Sequence, residues 1–197
     1  VKGKLVAFFG IADPVKEKSA SVIETLKKMG VTSIMLTGDN KSTALAIAKE
    51  VDITEVVAEV LPDQKEKTIR ELRKKYPVVA MVGDGINDAP ALATADVGIA
   101  MGGGTDVAIE SAGVTLLRSD ISLVPTALSL SKATMRNIRQ NLFWAFGYNV
   151  VLIPVAMGVL YPTFGIVLNP VLAGAAMAFS SVSVVLNALR LKTTHLE

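Results

Sequence analysis

The 197-residue chain has no cysteine, and for a long interval it has no charged residue. The absence of cysteine suits a protein that works in a reducing compartment, where disulfides rarely form. Up to Gln140 charges recur every few residues, but residues 141–189 contain no Lys, Arg, Asp, Glu or His. A helix in the core of a soluble protein rarely stays uncharged over such a length, so this interval predicts a membrane segment.

Two apolar stretches fill the uncharged interval. Residues 141–161 and residues 166–189 are each near the ~20 residues that a membrane-crossing helix needs. Basic residues flank the pair, with Lys132, Arg136 and Arg139 before it and Arg190 and Lys192 after it. Because positive residues mark the cytoplasmic side of a membrane, we predict a two-helix transmembrane hairpin with both ends in the cytosol.

The charged part of the chain alternates between strand and helix patterns. Strands are predicted at residues 5–11, 33–36, 56–58, 78–82, 97–100 and 114–117, and helices at residues 15–29, 41–51 and 65–75. Such alternation favours an α/β fold, with a parallel sheet and helices on both of its faces. We predict this domain over residues 1–121, the membrane part over residues 141–191 and a tail over residues 192–197.

Residues 122–140 are predicted to form an amphipathic linking helix. No Gly or Pro interrupts the chain between Pro125 and the first predicted span, so one helix would connect the α/β domain to the membrane. Such a helix would carry motion between the two parts. The alternative is a helix that lies on the membrane surface.

The segment Gly-Asp-Gly-Ile-Asn-Asp-Ala-Pro at residues 83–90 directly follows a predicted strand. Glycines let the backbone turn sharply at the carboxyl end of a parallel strand, where open α/β sheets bind ligands. Oxygen-bearing side chains suit a hard divalent cation, so we predict that Asp84 and Asp88 bind Mg²⁺ next to a phosphate group. Taken singly, an aspartate here is more often a turn former or a helix cap.

A second candidate segment, Thr37-Gly38-Asp39, follows the strand predicted at residues 33–36. It precedes a predicted helix, whose N-terminal N–H groups favour anions. The alternative is that Asp39 or Asn40 only caps this helix. Lys65 lies in the first turn of another predicted helix, where a lone lysine is usually solvated, so its assignment depends on the other residues.

Four of these residues occur in the order Thr37, Lys65, Asp84 and Asp88. This order resembles the haloacid-dehalogenase-like phosphotransferase core in the form found in P-type ATPases, and residues 37–39 and 83–90 match two motifs of that family without a substitution. The resemblance implies a Rossmann-like parallel sheet and Mg²⁺ bound by Asp84 and Asp88. It implies that Thr37 and Lys65 contact the phosphoryl group and that Asn87 helps to bind it. Gly38 and Asp39 would belong to the same catalytic site.

Two parts of such an ATPase do not occur in the chain. The nucleophile of the family lies in an Asp-Lys-Thr-Gly-Thr segment, which is absent from this sequence, and so is the nucleotide-binding domain that would bind most of the ATP. The resemblance therefore implies the C-terminal part of a longer pump, with most of the phosphorylation domain and the last two membrane spans. We expect this part alone to be inactive.

The predicted spans contain no carboxylate, which hard or divalent ions need in place of their hydration shell. The thioether of Met177 suits a soft monovalent ion, Cu(I) or Ag(I), although a lone Met in a span is commonly a packing residue. Tyr148-Asn149 and Met177-Ala178-Phe179-Ser180-Ser181 resemble the metal-site signatures of copper-transporting P-type ATPases. The resemblance implies a membrane Cu(I) site formed by Tyr148, Asn149, Met177 and Ser181, which the Cys-Pro-Cys span of the family, absent here, would complete.

The resemblance as a whole implies an integral, multi-pass protein of the cell membrane that exports Cu(I), driven by ATP through an aspartyl-phosphate intermediate. The implied partners are the rest of the same ATPase, the lipid bilayer and a cytosolic copper donor. The charged residues 65–75 contain no interleaved aromatic residue, so no nucleic-acid partner is expected. The alternatives are a pump for Ag(I) or Zn(II), a membrane-tethered phosphatase of the same core fold, and a non-catalytic subunit that binds partners.

Overall fold

The computed structural model describes residues 14–102, 106–165 and 169–193. The chain forms two compact units, Val1–Pro125 and Thr126–Glu197. The strand predicted at residues 5–11 lies outside the described residues.

Strands and helices alternate along the first unit, as the sequence predicts. The strands are β1 (Ile34–Leu36), β2 (Glu55–Val57), β3 (Ala80–Gly83), β4 (Val97–Met101) and β5 (Val114–Leu116). The helices are α1 (Ser19–Lys28), α2 (Lys41–Glu50), α3 (Pro62–Lys75), α4 (Ala89–Thr94) and α5 (Asp106–Ser111). A 3-10 turn, Ile86–Asp88, leads into α4.

The strand pairs that the structure describes are all parallel. Strand β1 pairs with β2, and β4 lies between β3 and β5. The register places Met35 opposite Val56 and Met81 opposite Gly98. Parallel neighbours require a crossover connection, which the helices between the strands provide. The predicted α/β fold, a parallel sheet flanked by helices, is confirmed.

One buried hydrophobic cluster of the first unit brings side chains of α3, α4 and α5 together with Met81 of β3. It consists of the buried side chains of Ile69, Val79, Met81, Ala91, Leu92 and Ala108. Leu36 of β1 packs against the same cluster, so the ends of β1 and β3 share one core. A Cβ atom on Gly98 would lie 2.5 Å from the Leu92 carbonyl oxygen, which shows how closely the chain after Leu92 approaches β4.

Strand β3 begins later than predicted. The sequence predicts a buried strand over residues 78–82, but β3 begins at Ala80 and Val78 is 68% exposed. The N–H of Val79 donates to the Asp96 carboxylate at 2.9 Å instead of to a neighbouring strand. The ladder with β4 therefore starts at Ala80, two residues after the predicted start of the strand.

The second unit is helical. Helix α6 (Leu123–Ala156) begins at the end of the first unit and runs through the predicted linking helix, α7 (Tyr161–Phe164) is a single turn, and α8 (Pro170–Leu189) is followed by a 3-10 turn, Arg190–Thr193. Within the described residues, one helical stretch is long and apolar enough to cross a membrane, Ala173–Thr193, with a mean hydropathy of 1.4. It overlaps the second predicted span.

The first predicted span, residues 141–161, does not form one helix. Helix α6 ends at Ala156, because Gly158 adopts a left-handed conformation with φ of 82°. The N–H groups of Gly158 and Val159 then bond back to the carbonyls of Val155 and Pro154 at 3.0 and 3.1 Å, which is the Schellman pattern of a helix end. The crossing of the membrane by this segment stays a prediction.

Candidate active site

The segment at residues 83–90 lies at the carboxyl end of β3. Gly83 is the last residue of the strand, the 3-10 turn Ile86–Asp88 follows, and α4 begins at Ala89 with a proline in its first turn. Asp88 occupies the cap position of α4, but its side chain makes no capping hydrogen bond. The alternative that Asp88 serves as a helix cap is therefore wrong, and its carboxylate is available for another contact.

That contact is an ion pair with Lys65. The Lys65 Nζ atom lies 2.6 Å from Asp88 Oδ1, and the two side chains are only 18% and 12% exposed. Lys65 is in the first turn of α3, which packs against the 3-10 turn and α4. The expectation that a lone lysine here is solvated does not hold, because α3 places its ammonium group against a carboxylate shielded from water.

Gly83 makes room for the Asp88 carboxylate. A Cβ atom on Gly83 would lie 2.8 Å from Asp88 Oδ2 and 2.9 Å from its Cβ atom, which is closer than real Cβ atoms approach other atoms. Any larger residue would therefore displace the Asp88 side chain. Asp84 and Asn87 lie on the same turn, and both residues are exposed.

The segment Thr37-Gly38-Asp39 follows β1. The Thr37 hydroxyl donates to Asp39 Oδ2 at 2.8 Å and accepts from the Asp39 N–H at 3.1 Å. Asn40, not Asp39, caps α2, since its side-chain oxygen accepts from the Thr43 N–H at 2.9 Å. The capping alternative is thus right for Asn40, and the Asp39 carboxylate holds the threonine hydroxyl.

The structure brings the predicted residues together in two groups, Thr37 with Asp39 and Lys65 with Asp88. The groups sit at the ends of β1 and at the junction of β3 with α4, on strands that share one core. Within the described part of the chain there is no cluster of three or more His, Cys, Asp or Glu side chains that could hold a metal ion. A cation at this turn would therefore depend on Asp84, Asp88 and the amide oxygen of Asn87.

Two side-chain networks that the sequence does not predict anchor α3. Arg73 donates to the Thr94 carbonyl at 2.9 Å and to Asp96 Oδ1 at 2.6 Å. The Val79 N–H, and after it the Arg73 guanidinium, hold the pKa of the Asp96 carboxyl below its ordinary value. Val79 and Arg73 lie 17 and 23 residues before Asp96 in the chain, so no local sequence pattern predicts these contacts.

At the other side of α3, Tyr76 donates its hydroxyl to Glu55 Oε1 at 2.6 Å and Lys75 donates to Oε2 at 2.9 Å. These two contacts, that of Tyr76 first, lower the pKa of the Glu55 carboxyl. Helix α3 is thereby tied to β2 as well as to the start of β4. This double attachment fixes the helix that carries Lys65.

Comparison with known proteins shows which families this chain is similar to. The haloacid dehalogenase-like hydrolases match residues 1–96 of this chain. Copper-transporting ATPase 2 of Rhizobium meliloti (strain 1021) is 58% identical over 99% of this chain and 24% of its own length. The silver exporting P-type ATPase of Salmonella typhimurium is 57% identical over 98% of this chain and 24% of its own length. Over nearly its whole length the chain is therefore similar to one segment of P-type ATPases that are named for copper and silver transport.

A solved structure agrees with this assignment. The crystal structure of a zinc-transporting PIB-type ATPase matches with a TM-score of 0.79 at 40% identity, over 91% of this chain and 28% of that one. The chain spans about a quarter of the length of the curated relatives that it matches, at 24% for each of the two named above. It therefore represents one segment of a P-type ATPase architecture.

The four residues expected at a membrane metal site of this ATPase segment lie on two helices. Asn149 of α6 donates to the Ala145 carbonyl at 2.8 Å, and Ser181 of α8 donates to the Met177 carbonyl at 3.2 Å. Both polar groups thus bond within their own helix, and the Met177 side chain is 68% exposed. Among the described contacts none joins Tyr148 or Asn149 to Met177 or Ser181, so the site stays a prediction.

A polar contact between α6 and α8 was not predicted. Asn137 donates to the Asn187 carbonyl at 2.7 Å, Asn187 donates to Asn141 Oδ1 at 3.0 Å, and Asn141 donates to Asn137 Oδ1 at 3.0 Å. These three residues are called the asparagine triad below. The spacing of four residues between Asn137 and Asn141 places both on one helix face, which was the only signal available in the sequence.

Proposed function

We propose that this chain is part of an ATP-driven Cu(I) exporter that cycles through an aspartyl-phosphate and moves Cu(I) out of the cytosol. The observation that carries the proposal is the Lys65–Asp88 ion pair at 2.6 Å, on a strand-end turn that also presents Asp84. A shielded cation and two carboxylates at the carboxyl end of a parallel strand suit phosphoryl transfer better than a structural role. The names of the relatives supply the transport function.

The residues of the turn fit a magnesium ion. Asp84 and Asp88 offer carboxylate oxygens and Asn87 an amide oxygen, which suit a hard cation, and the missing Cβ of Gly83 leaves room for the Asp88 carboxylate. Asp88 Oδ1 is already held by Lys65, so Oδ2 is the oxygen that would bind a cation. Bound Mg²⁺ would neutralise charge on a phosphoryl group.

The other residues of the site would hold the phosphoryl group. Lys65 keeps the Asp88 carboxylate in place and offers its remaining N–H donors to phosphoryl oxygens. The Thr37 hydroxyl, which now donates to Asp39, would donate to a phosphoryl oxygen instead, with the Gly38 and Asp39 backbone beside it. Asn87 is exposed at the same turn and would contribute its amide. The nucleophilic aspartate and most of the ATP contacts would come from parts of the ATPase outside this sequence.

The transported ion is proposed to be Cu(I), bound by Tyr148, Asn149, Met177 and Ser181 together with residues of other spans. A thioether with phenol, amide and hydroxyl neighbours suits a soft monovalent ion. Ag(I) is the closest alternative, because one relative is named a silver exporter, and Zn(II) is a second, because a matching structure is named a zinc transporter. The lack of any carboxylate in residues 141–189 favours the monovalent ions.

The proposal includes an arrangement in the membrane. Residues 1–121 would belong to a cytosolic phosphorylation domain, residues 122–140 to a linking helix, and residues 141–191 to two spans of a multi-pass protein of the cell membrane. The partners would be the rest of the same ATPase, the bilayer and a cytosolic copper donor. The apolar stretch Ala173–Thr193 supports one of the two spans.

The test is ATP hydrolysis by the complete protein in proteoliposomes, measured separately with Cu(I), Ag(I) and Zn(II). We expect stimulation by Cu(I) and by Ag(I), and none by Zn(II). Stimulation by Zn(II) alone would overturn the ion assignment. Metal-independent hydrolysis of a phosphomonoester, without any metal-stimulated ATP hydrolysis, would support the membrane-tethered phosphatase instead.

A further inference from the structure

One face of α3 carries three residues at a spacing of four, which are Lys65, Ile69 and Arg73. On a helix this spacing places side chains next to one another on the same face. The first and the last residue make ion pairs, and Ile69 between them is buried in the hydrophobic cluster. The face of α3 that carries Lys65 is therefore held by a second charged contact, about two turns further along the helix.

The second contact joins Arg73 to Asp96 and to the end of α4. The Arg73 guanidinium donates through Nη2 to Asp96 Oδ1 at 2.6 Å and through Nη1 to the Thr94 carbonyl at 2.9 Å. Thr94 is the last residue of α4, and Asp88, the partner of Lys65, immediately precedes that helix. Charged side chains thus attach α3 to both ends of α4.

Asp96 is itself fixed to the start of β3. Its Oδ2 atom accepts from the Val79 N–H at 2.9 Å, and its own N–H donates to the Val79 carbonyl at 2.9 Å. The two residues therefore exchange hydrogen bonds where the chain enters β3, the strand that ends at Gly83 beside Asp84. Asp96 connects the strand that leads to the candidate magnesium residues with the helix that carries Lys65.

A purely structural role is the alternative for this contact. The Arg73 and Asp96 side chains are 45% and 29% exposed, and an ion pair that is open to water contributes little to stability. The neighbouring Arg70 makes an equally short pair at 2.6 Å, but its partner Glu66 belongs to the same helix. Only the Arg73 contact ties α3 to other elements, so its geometric effect is larger than its contribution to stability.

We propose that Arg73 and Asp96 are positioning residues for phosphoryl transfer, which hold α3 so that the Lys65 ammonium stays at the turn of residues 83–90. Lys65 and Arg73 are about 12 Å apart along the helix axis, with Ile69 packed between them. A tilt of α3 about this buried point would move its two ends in opposite directions, so release of Arg73 displaces Lys65 from Asp88. The inference rests on the proposed function, because that function gives Lys65 its role at the phosphoryl group.

The first experiment measures how often Lys65 leaves Asp88, by trace acetylation of the complete protein with acetic anhydride and mass spectrometry of its peptides. Arg73→Lys keeps the charge but replaces two donor nitrogens by one, and Asp96→Asn removes the opposite charge. Both variants should acetylate Lys65 several-fold faster. Arg70→Lys is the matched control, because it makes the same change on the same helix at a residue that pairs within α3. It should leave the acetylation of Lys65 unchanged.

The second experiment measures single-turnover phosphorylation of the complete protein by ATP. The rate constant should fall roughly 10-fold or more in Arg73→Lys, since displacing a group at the reacting centre by about 1 Å costs up to about 100-fold. Arg70→Lys should keep the rate constant of the unmodified protein. The double variant Arg73→Lys with Asp96→Asn should be about as slow as the slower single variant, because the two residues act as one contact.

Two results would overturn the proposal. Equal acetylation of Lys65 in Arg73→Lys and Arg70→Lys would mean that Arg73 does not set the position of Lys65. A smaller amount of phosphoenzyme that forms with an unchanged rate constant would mean that the contact only stabilises the fold. If the unmodified protein forms no phosphoenzyme, the proposed function fails, and the acetylation of Lys65 still decides the positioning role. If Asp96→Asn does not fold, Arg73→Lys, which keeps both charges, serves for both measurements.

Discussion

The two units of the chain place large apolar side chains in opposite ways. In the first unit Leu92 and Ile69 are 1% and 2% exposed, whereas Phe143 and Phe179 in the second unit are 69% and 67% exposed. Burial against water stabilises the first arrangement, because it removes apolar surface from a polar solvent. The second arrangement suits a surrounding of hydrocarbon or of other apolar helices. The same residue types are thus arranged for two different environments.

Polar groups differ between the units as well. The first unit pairs opposite charges, as in Lys65 with Asp88 and Arg73 with Asp96. The contacts between helices in the second unit are neutral and use the amides of Asn137, Asn141 and Asn187. A neutral amide is far less costly than a charge to place near hydrocarbon, so the chemistry of each contact follows its environment.

The largest expected effect concerns the charged site of the first unit. Asp88→Asn or Asp84→Asn in the complete protein should abolish phosphoenzyme formation from ATP, because the oxygen ligands of Mg²⁺ lose their charge. Acid-stable incorporation of ³²P measures this. Glu24→Gln is the matched control, since Glu24 pairs with Lys28 on the surface of α1 and should leave labelling intact. Normal labelling of Asp88→Asn at saturating Mg²⁺ would contradict the assignment.

The next effect concerns the thioether of the second unit. Met177→Leu keeps volume and apolarity, so stability should change by less than about 1.5 kcal/mol. Stimulation of ATP hydrolysis by Cu(I) should fall to near the unstimulated rate, while phosphorylation from inorganic phosphate should persist. Met157→Leu, the same change just beyond the end of α6, should keep the stimulation. Equal stimulation of ATP hydrolysis by Cu(I) in the Met177→Leu and Met157→Leu variants would mean that Met177 packs against its neighbours and does not bind the ion.

A third variant pair compares the environments of apolar side chains directly. Leu92→Ala should destabilise the first unit by about 2–5 kcal/mol, because it opens a cavity in a closed core. Phe179→Ala should leave that unit unchanged, since Phe179 lies in α8 and is not part of that core. Hydrogen exchange of the β3 and β4 amides in the complete protein distinguishes them. Comparable loss of protection in both variants would show that the two units unfold together.

The neutral contacts between helices should contribute less. Asn187→Leu removes the amide that bonds to Asn141, and should cost about 1 kcal/mol of stability in detergent or lipid. Ser183→Ala removes a hydroxyl that bonds within α8 to the Phe179 carbonyl, and should cost less. Thermal denaturation of the two variants in parallel measures the difference. An equal cost would mean that the asparagine triad does not hold α6 to α8.

The smallest effect is a dependence of stability on pH that only the first unit should show. The pKa values of Asp96 and Glu55 are lowered in the folded state, chiefly by the Val79 N–H and the Tyr76 hydroxyl. Their contribution to stability is present above the ordinary pKa of these groups, near pH 4, and is lost as the pH falls through the lowered values. Asp96→Asn and Tyr76→Phe should each flatten the acid limb of the unfolding profile of that unit. An unchanged acid limb in both variants would mean that other carboxylates cause the loss of stability at low pH.

Some of the site follows from short stretches of sequence. The turn at residues 83–90 was placed correctly at the end of a strand, because glycines and a preceding apolar run act over neighbouring residues. The start of β3 and the end of the helix at Ala156 were missed. The start of β3 depends on a contact between Val79 and the Asp96 carboxylate, 17 residues later in the chain. The end of α6 depends on the left-handed conformation of Gly158, which lies inside an apolar stretch.

The sequence by itself determined the alternation of strands and helices, the strand-end turn with its two aspartates and the uncharged interval of residues 141–189. These features depend on periodicity, turn chemistry and hydropathy, which are local properties of the chain. Only the tertiary structure decided that Lys65 meets Asp88 across 23 residues, that Gly83 clears space for that carboxylate, and that Asn137 meets Asn187 across 50 residues to join α6 to α8. Such contacts arise when packed elements bring distant residues together, and no spacing within the chain encodes them.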